Sequence, residues 1–76
     1  MIEPEEIQQM LQTRFDGAEV TVQDMTGTRD HFEAVIVWPG FRGKSLIDQH
    51  QLVNGALSGP LNDGRIHALK IKTIVS

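Results

Sequence analysis

The 76-residue chain predicts a single α+β domain spanning residues 1–76, in the order α-β-β-α-β. Three observations carry that prediction. Apolar residues recur at helical spacing in two segments, and as alternating or β-rich runs in three others. The second helical segment falls between the second and third strands, which allows those strands to run parallel through a right-handed crossover. The composition, 39% hydrophobic and 22% charged, is that of an ordinary soluble domain with no room for a second. The expected product is a small three-stranded mixed sheet with helices on one face.

Residues 4–15 place Ile7, Met10, Leu11, Arg14 and Phe15 at helical spacing. Pro4 suits a first turn, and Glu5 and Glu6 suit the positive end of the helix dipole. Asp16-Gly17 stops the helix. Residues 18–25 alternate, with Ala18, Val20 and Val22 on one face, and 26–30 form a polar glycine-containing loop. Residues 31–38 are more continuously apolar and read as a central strand, joined to 18–25 as an antiparallel hairpin. Pro39, Gly40 and Gly43 break the pattern over 39–44. From Ser45, an expected N-cap with Asp48 three residues on, the spacing is helical again. Leu46, Ile47, His50, Val53 and Leu57 form its apolar stripe, with Leu52 and Ala56 beside them. Ser58-Gly59-Pro60 ends this helix, 61–65 is a turn, and 66–75 alternates as the third strand. No repeat, linker or low-complexity stretch interrupts the chain.

Ten acids against seven bases give a net charge of −3, which argues against a default nucleic-acid binder but leaves room for a local basic patch. The absence of cysteine removes disulfides, thiolate metal sites and cysteine nucleophiles. The acidic, polar beginning is no signal peptide, and the longest apolar run is far short of a membrane span. A soluble, cytoplasmic protein is expected. No phosphate-binding loop, no Gly-x-Ser-x-Gly and no convincing acid pair is present, and Asp30 beside His31 points away from it on an extended backbone, so no enzyme is expected.

The residues that invite a functional reading are the three histidines and one loop. By period two, His67 shares a face with Leu69, Ile71 and Thr73 near the start of the third strand; alone it reads as a hydrogen-bonded histidine at a sheet edge. His31 opens the second strand. If the two strands are parallel their beginnings lie side by side, and two imidazoles can hold a borderline metal, provided a partner completes the four ligands. His50, on the stripe of the second helix, reads as a buried or half-buried core histidine. Gly40, Arg42, Gly43 and Lys44 form a Gly-x-x-Gly loop of the kind that approaches a nucleic-acid backbone in KH domains, or else a tight strand-to-helix turn that needs glycine. Lys70 and Lys72 face outward on the third strand and, with Arg65, could extend a shallow positive surface.

The segments "HFEAVIV", "FRGKSLIDQHQLVNGAL" and "RIHALKIKT" together resemble the BolA family in order and spacing over nearly the whole chain. The resemblance implies a type II KH-like fold, with an extra helical turn near residues 44–48. It implies a non-enzymatic adaptor that partners a monothiol glutaredoxin and co-ligates a bridging two-iron, two-sulfur cluster, acting in iron–sulfur cluster handling or iron and redox signalling. His67 and His31 are the metal ligands the resemblance points to on this chain; the glutaredoxin brings its cysteine and a glutathione thiolate, and the isolated chain holds no cofactor. The family's other reading is DNA or RNA binding and transcription regulation through Gly40, Arg42, Gly43 and Lys44. The chain departs from the family there: Gln49-His50-Gln51 stands where Arg-His-Arg is common, which removes two positive charges. The free protein is expected to be a monomer or weak homodimer.

Overall fold

A computed structural model describes residues 2–27, 29 and 31–76. The element order is α1 (Pro4–Arg14), β1 (Glu19–Asp24), β2 (His31–Val37), a 3-10 turn (Pro39–Phe41), α2 (Leu46–Ala56), α3 (Ser58–Asn62) and β3 (Ala68–Ile74). The expected α-β-β-α-β order is present, with the additional turns at 39–41 and 58–62. The extra turn does not fall at 44–48: Ser45 is extended (φ −65°, ψ 161°), its hydroxyl accepts from Asp48 N at 3.1 Å, and α2 starts directly after it. Pro60, expected as a terminator, sits in the first turn of α3, where its missing N–H costs nothing.

The sheet order is β1-β2-β3. β1 and β2 are antiparallel, with Val20 opposite Ile36; β2 and β3 are parallel, with His31 opposite Ala68 and Val37 opposite Ile74. Side chains alternate, so Val20, Phe32, Ala34, Ile36, Leu69 and Ile71 face the helices and Thr21, Val35, Lys70 and Lys72 face the opposite, open side. The core between sheet and helices is built on Ile7, Leu11, Phe15, Phe32, Ile36, Phe41, Val53 and Leu57, all at or near zero exposure. Burying a side chain of this size contributes about 2 kcal/mol each, so this one layer carries most of the domain's stability.

The inward stripe of α2 differs from the one the spacing predicts. Leu46 and Ile47 are 62% and 70% exposed, while Gln49 is buried. The Gln49 amide explains the rotation: its Nε2 donates to Lys44 O at 2.9 Å and its Oε1 accepts from the Thr73 hydroxyl on β3. A polar group with both ends satisfied can occupy an inward position, and it turns Leu46 and Ile47 outward. Among the described residues, no helix is long and apolar enough to cross a membrane.

Candidate functional site

Parallel pairing of β2 with β3 brings the starts of both strands to one rim of the sheet. His31 opens β2 and lies opposite Ala68, the residue after His67. The two imidazole rings are 5.5 Å apart between centroids and tilted by 45°. His67 is exposed and His31 half-buried. The face predicted for His67 is corrected. The ladder begins at Ala68, so period-two alternation does not reach residue 67. Ile66 is drawn into the core at 2% exposure, its N–H donating to Pro60 O at 3.0 Å, and His67 turns outward.

Each histidine follows backbone that an aspartate side chain holds. Before His31, the Asp24 carboxylate accepts from Thr26 N at 3.3 Å, Gly27 N at 3.0 Å and Arg29 N at 2.9 Å, while Met25 N donates to His31 O at 2.8 Å. Arg29 adopts φ +62°, uncommon for a residue with a side chain, and its guanidinium meets Glu3 at 3.2 Å, which ties the loop to the start of α1. Asp30 lies outside the described residues. Before His67, Asp63 accepts from Arg65 N at 3.0 Å and Arg65 Nε at 2.8 Å. The Arg65 N–H first, and then its guanidinium, hold the Asp63 carboxyl below the usual carboxylate range. Sequence reasoning gave Asp24 and Asp63 no role; an aspartate ahead of a glycine-containing turn is the signal that finds both.

Arg65 is therefore engaged with Asp63. Lys70 stands 3.7 Å from Glu33 on the open face, two residues along β2 from His31. Among the described residues, no group of three or more His, Cys, Asp or Glu side chains gathers around one point. Two imidazoles on one tetrahedral ion, at a metal–nitrogen distance of about 2.1 Å, have ring centres about 5 Å apart. The observed spacing fits that arrangement, in which this chain supplies two ligands of four.

The Gly-x-x-Gly loop lies at the other end of β2, about 20 Å away at about 3.3 Å per residue. The structure brings Gly40, Arg42, Gly43 and Lys44 together there, exposed. A Cβ on Gly40 would come within 2.5 Å of the Trp38 ring, so close packing requires glycine. Phe41 is fully buried, edge-on to Trp38 at 5.2 Å and tilted on Phe15 at 5.6 Å. Trp38 Nε1 donates to Asp16 O at 2.9 Å. Gly43 takes φ +80°, and Arg42 Nη2 reaches Ser76 O at 3.5 Å. His50 is half-buried, beside the inward stripe of α2 rather than on it. A groove between α1 and α2, lined by Gln9, Met10, Thr13, Arg14, Gly55 and Ala56, includes none of the candidate residues.

The profile of the BolA-like protein family matches residues 8–76. The BolA-like protein RP812 of Rickettsia prowazekii is 40% identical over 73 residues, covering 96% of this chain and 94% of its own. BolA1 of Arabidopsis thaliana superposes with a TM-score of 0.84 at 30% identity, over 96% of this chain and 93% of that one. The BolA domain of SufE1 from the same plant gives 0.83 at 31% identity, over 93% and 88%. With the expected fold present, and a family match and close relatives along almost its full length, the chain belongs to the BolA-like family.

Proposed function

We propose that this chain is a non-enzymatic adaptor that binds a monothiol glutaredoxin and co-ligates a bridging two-iron, two-sulfur cluster, thereby modulating iron–sulfur cluster handling or iron and redox signalling. His67 and His31 are its two ligands, and the partner's cysteine and glutathione's thiolate are the other two. The observation that carries the reading is the meeting of two imidazoles, distant in the chain, at an accessible rim with the spacing of a shared ion. A BolA domain within SufE1 fits a module that works joined to another protein.

When bound, such a cluster supplies one-electron chemistry, and imidazole in place of thiolate raises its reduction potential. The chain's own contribution is orientation and access. The Asp24-held loop and the Asp63–Arg65 turn fix where His31 and His67 leave the backbone, so less freedom is lost when both rings coordinate. His67 is the more accessible ring and the first to meet a partner. Imidazole coordinates through a deprotonated nitrogen, so protons compete with assembly.

The deciding experiment mixes the protein with a monothiol glutaredoxin, glutathione, iron and sulfide under anaerobic conditions. A coloured heterocomplex is expected, with visible absorption and circular dichroism unlike those of the glutaredoxin homodimer. His67→Ala should abolish the difference and His31→Ala should alter it. An unchanged spectrum with His67→Ala sinks the ligand assignment.

A further inference from the structure

β3 is an edge strand, and among the described residues no strand pairs with its outer side. Ile74 O accepts from Trp38 N on the inner side, so alternation along the ladder turns the backbone groups of Leu69, Ile71 and Thr73 outward. The outward backbone groups of these three residues, spaced along a seven-residue strand, form a template for one more strand.

The two faces of that edge differ in chemistry. On the open face stand Lys70, with its side chain 68% exposed, and Lys72, which lies opposite Val35 rather than an acid. On the helix face Leu69 and Ile71 are only half-covered. Further apolar side chains are exposed at the far end: Ile74, 40% exposed on the lysine face, Val75, 44% exposed, and Leu46 and Ile47, within one turn of the Gln49 that holds Thr73. A second copy is a poor occupant. Antiparallel pairing of two β3 edges would set the lysines of both copies on one face against each other.

We propose that the outer edge of β3 docks an extended acidic–apolar segment of a partner protein as a fourth strand, its acidic side chains over Lys70 and Lys72 and its apolar ones beside Leu69 and Ile71. This site does not depend on the histidine rim, although its first residue adjoins His67. The alternating pattern gives specificity: main-chain bonds supply affinity for any extended chain, and the lysines select the acidic one.

The test uses a capped seven-residue peptide of alternating Glu and Val, followed by amide NMR and hydrogen exchange. Binding should slow exchange at Leu69, Ile71 and Thr73 at least tenfold and weaken as salt is raised. Lys70→Glu/Lys72→Glu should weaken it at least tenfold, and the matching Lys/Val peptide should bind that variant and not the parent. Lys72→Glu alone, with no acid opposite it, gives the same direction should the double variant lose stability. His67→Ala should bind the peptide unchanged, which separates this site from the cluster reading. Equal binding by the charge-reversed protein, protection mapped to β1, no binding at millimolar peptide, or protection that grows with protein concentration alone would each overturn the proposal, the last by making the edge a self-interface.

Discussion

At the start of β2 and β3, two imidazoles stand 5.5 Å apart at the surface, each at the end of a turn tied by an aspartate. At the finish of the same strands, the Gly-x-x-Gly loop is exposed along Gly40, Arg42, Gly43 and Lys44 but anchored from within: Phe41 is buried, Gly40 lies against the Trp38 ring, and Gln49 links Lys44 O to Thr73 on β3. The contrast shows how differently a motif and a juxtaposition behave. The loop could be read as a ligand-binding signature or as a tight turn that needs glycine, and Gly40, Phe41 and the Lys44 carbonyl are used in packing. The histidines looked unremarkable singly, yet strand pairing brings them together at one rim.

Substitutions should therefore divide by region. Phe41→Ala should have the largest effect on stability, about 3–5 kcal/mol, in a domain stable by only about 5–10 kcal/mol. Urea unfolding followed by the fluorescence of Trp38, the sole tryptophan, measures it. Gly40→Ala comes next, at about 1–3 kcal/mol, because the added methyl must displace the indole; the emission of Trp38 should shift in the folded protein as well. Gln49→Ala should cost about 1–2 kcal/mol by leaving the Lys44 carbonyl and the Thr73 hydroxyl without their shared partner. His67→Ala should move stability by no more than about 0.5 kcal/mol, and both His67→Ala and His31→Ala should change the spectrum of the glutaredoxin heterocomplex. A large loss of stability from His67→Ala would break the comparison, since it would make that residue structural.

The smallest effect concerns the turn before His67. The Asp63 carboxyl is held below its ordinary range in the folded chain, so its stabilisation is complete above the unfolded carboxylate's titration and disappears as pH falls through the lower folded value. Asp63→Asn should therefore cost a small amount of stability at neutral pH, and the stability difference should vanish only as pH falls below the usual carboxylate range. Divergence persisting in strong acid would mean that the turn is held by something other than the carboxylate.

Much of the architecture was legible because local pattern and global fold agree. Pro4 with Glu5 and Glu6 started α1 where it begins, and Ser45 with Asp48 capped α2 as expected. Legibility failed where a polar group took an inward position or a strand began late. Gln49 reads as a surface residue until its two partners are known. His67 follows strand parity only if the ladder includes it, and Ile66, drawn to the core, shows that it does not.

What the amino-acid order determined alone is the family, the succession of elements, and the presence of histidines where two strands begin. These rest on hydrophobic period and turn chemistry, which act over a few residues. Only the tertiary structure decided that the rings stand together, that Phe41 anchors an otherwise exposed glycine loop in the core, and that β3 has a lysine-lined outer edge with no strand paired to it among the described residues. Distances between segments remote in sequence are set by strand pairing and by which side chains win the limited interior, and no short window of the chain contains that competition.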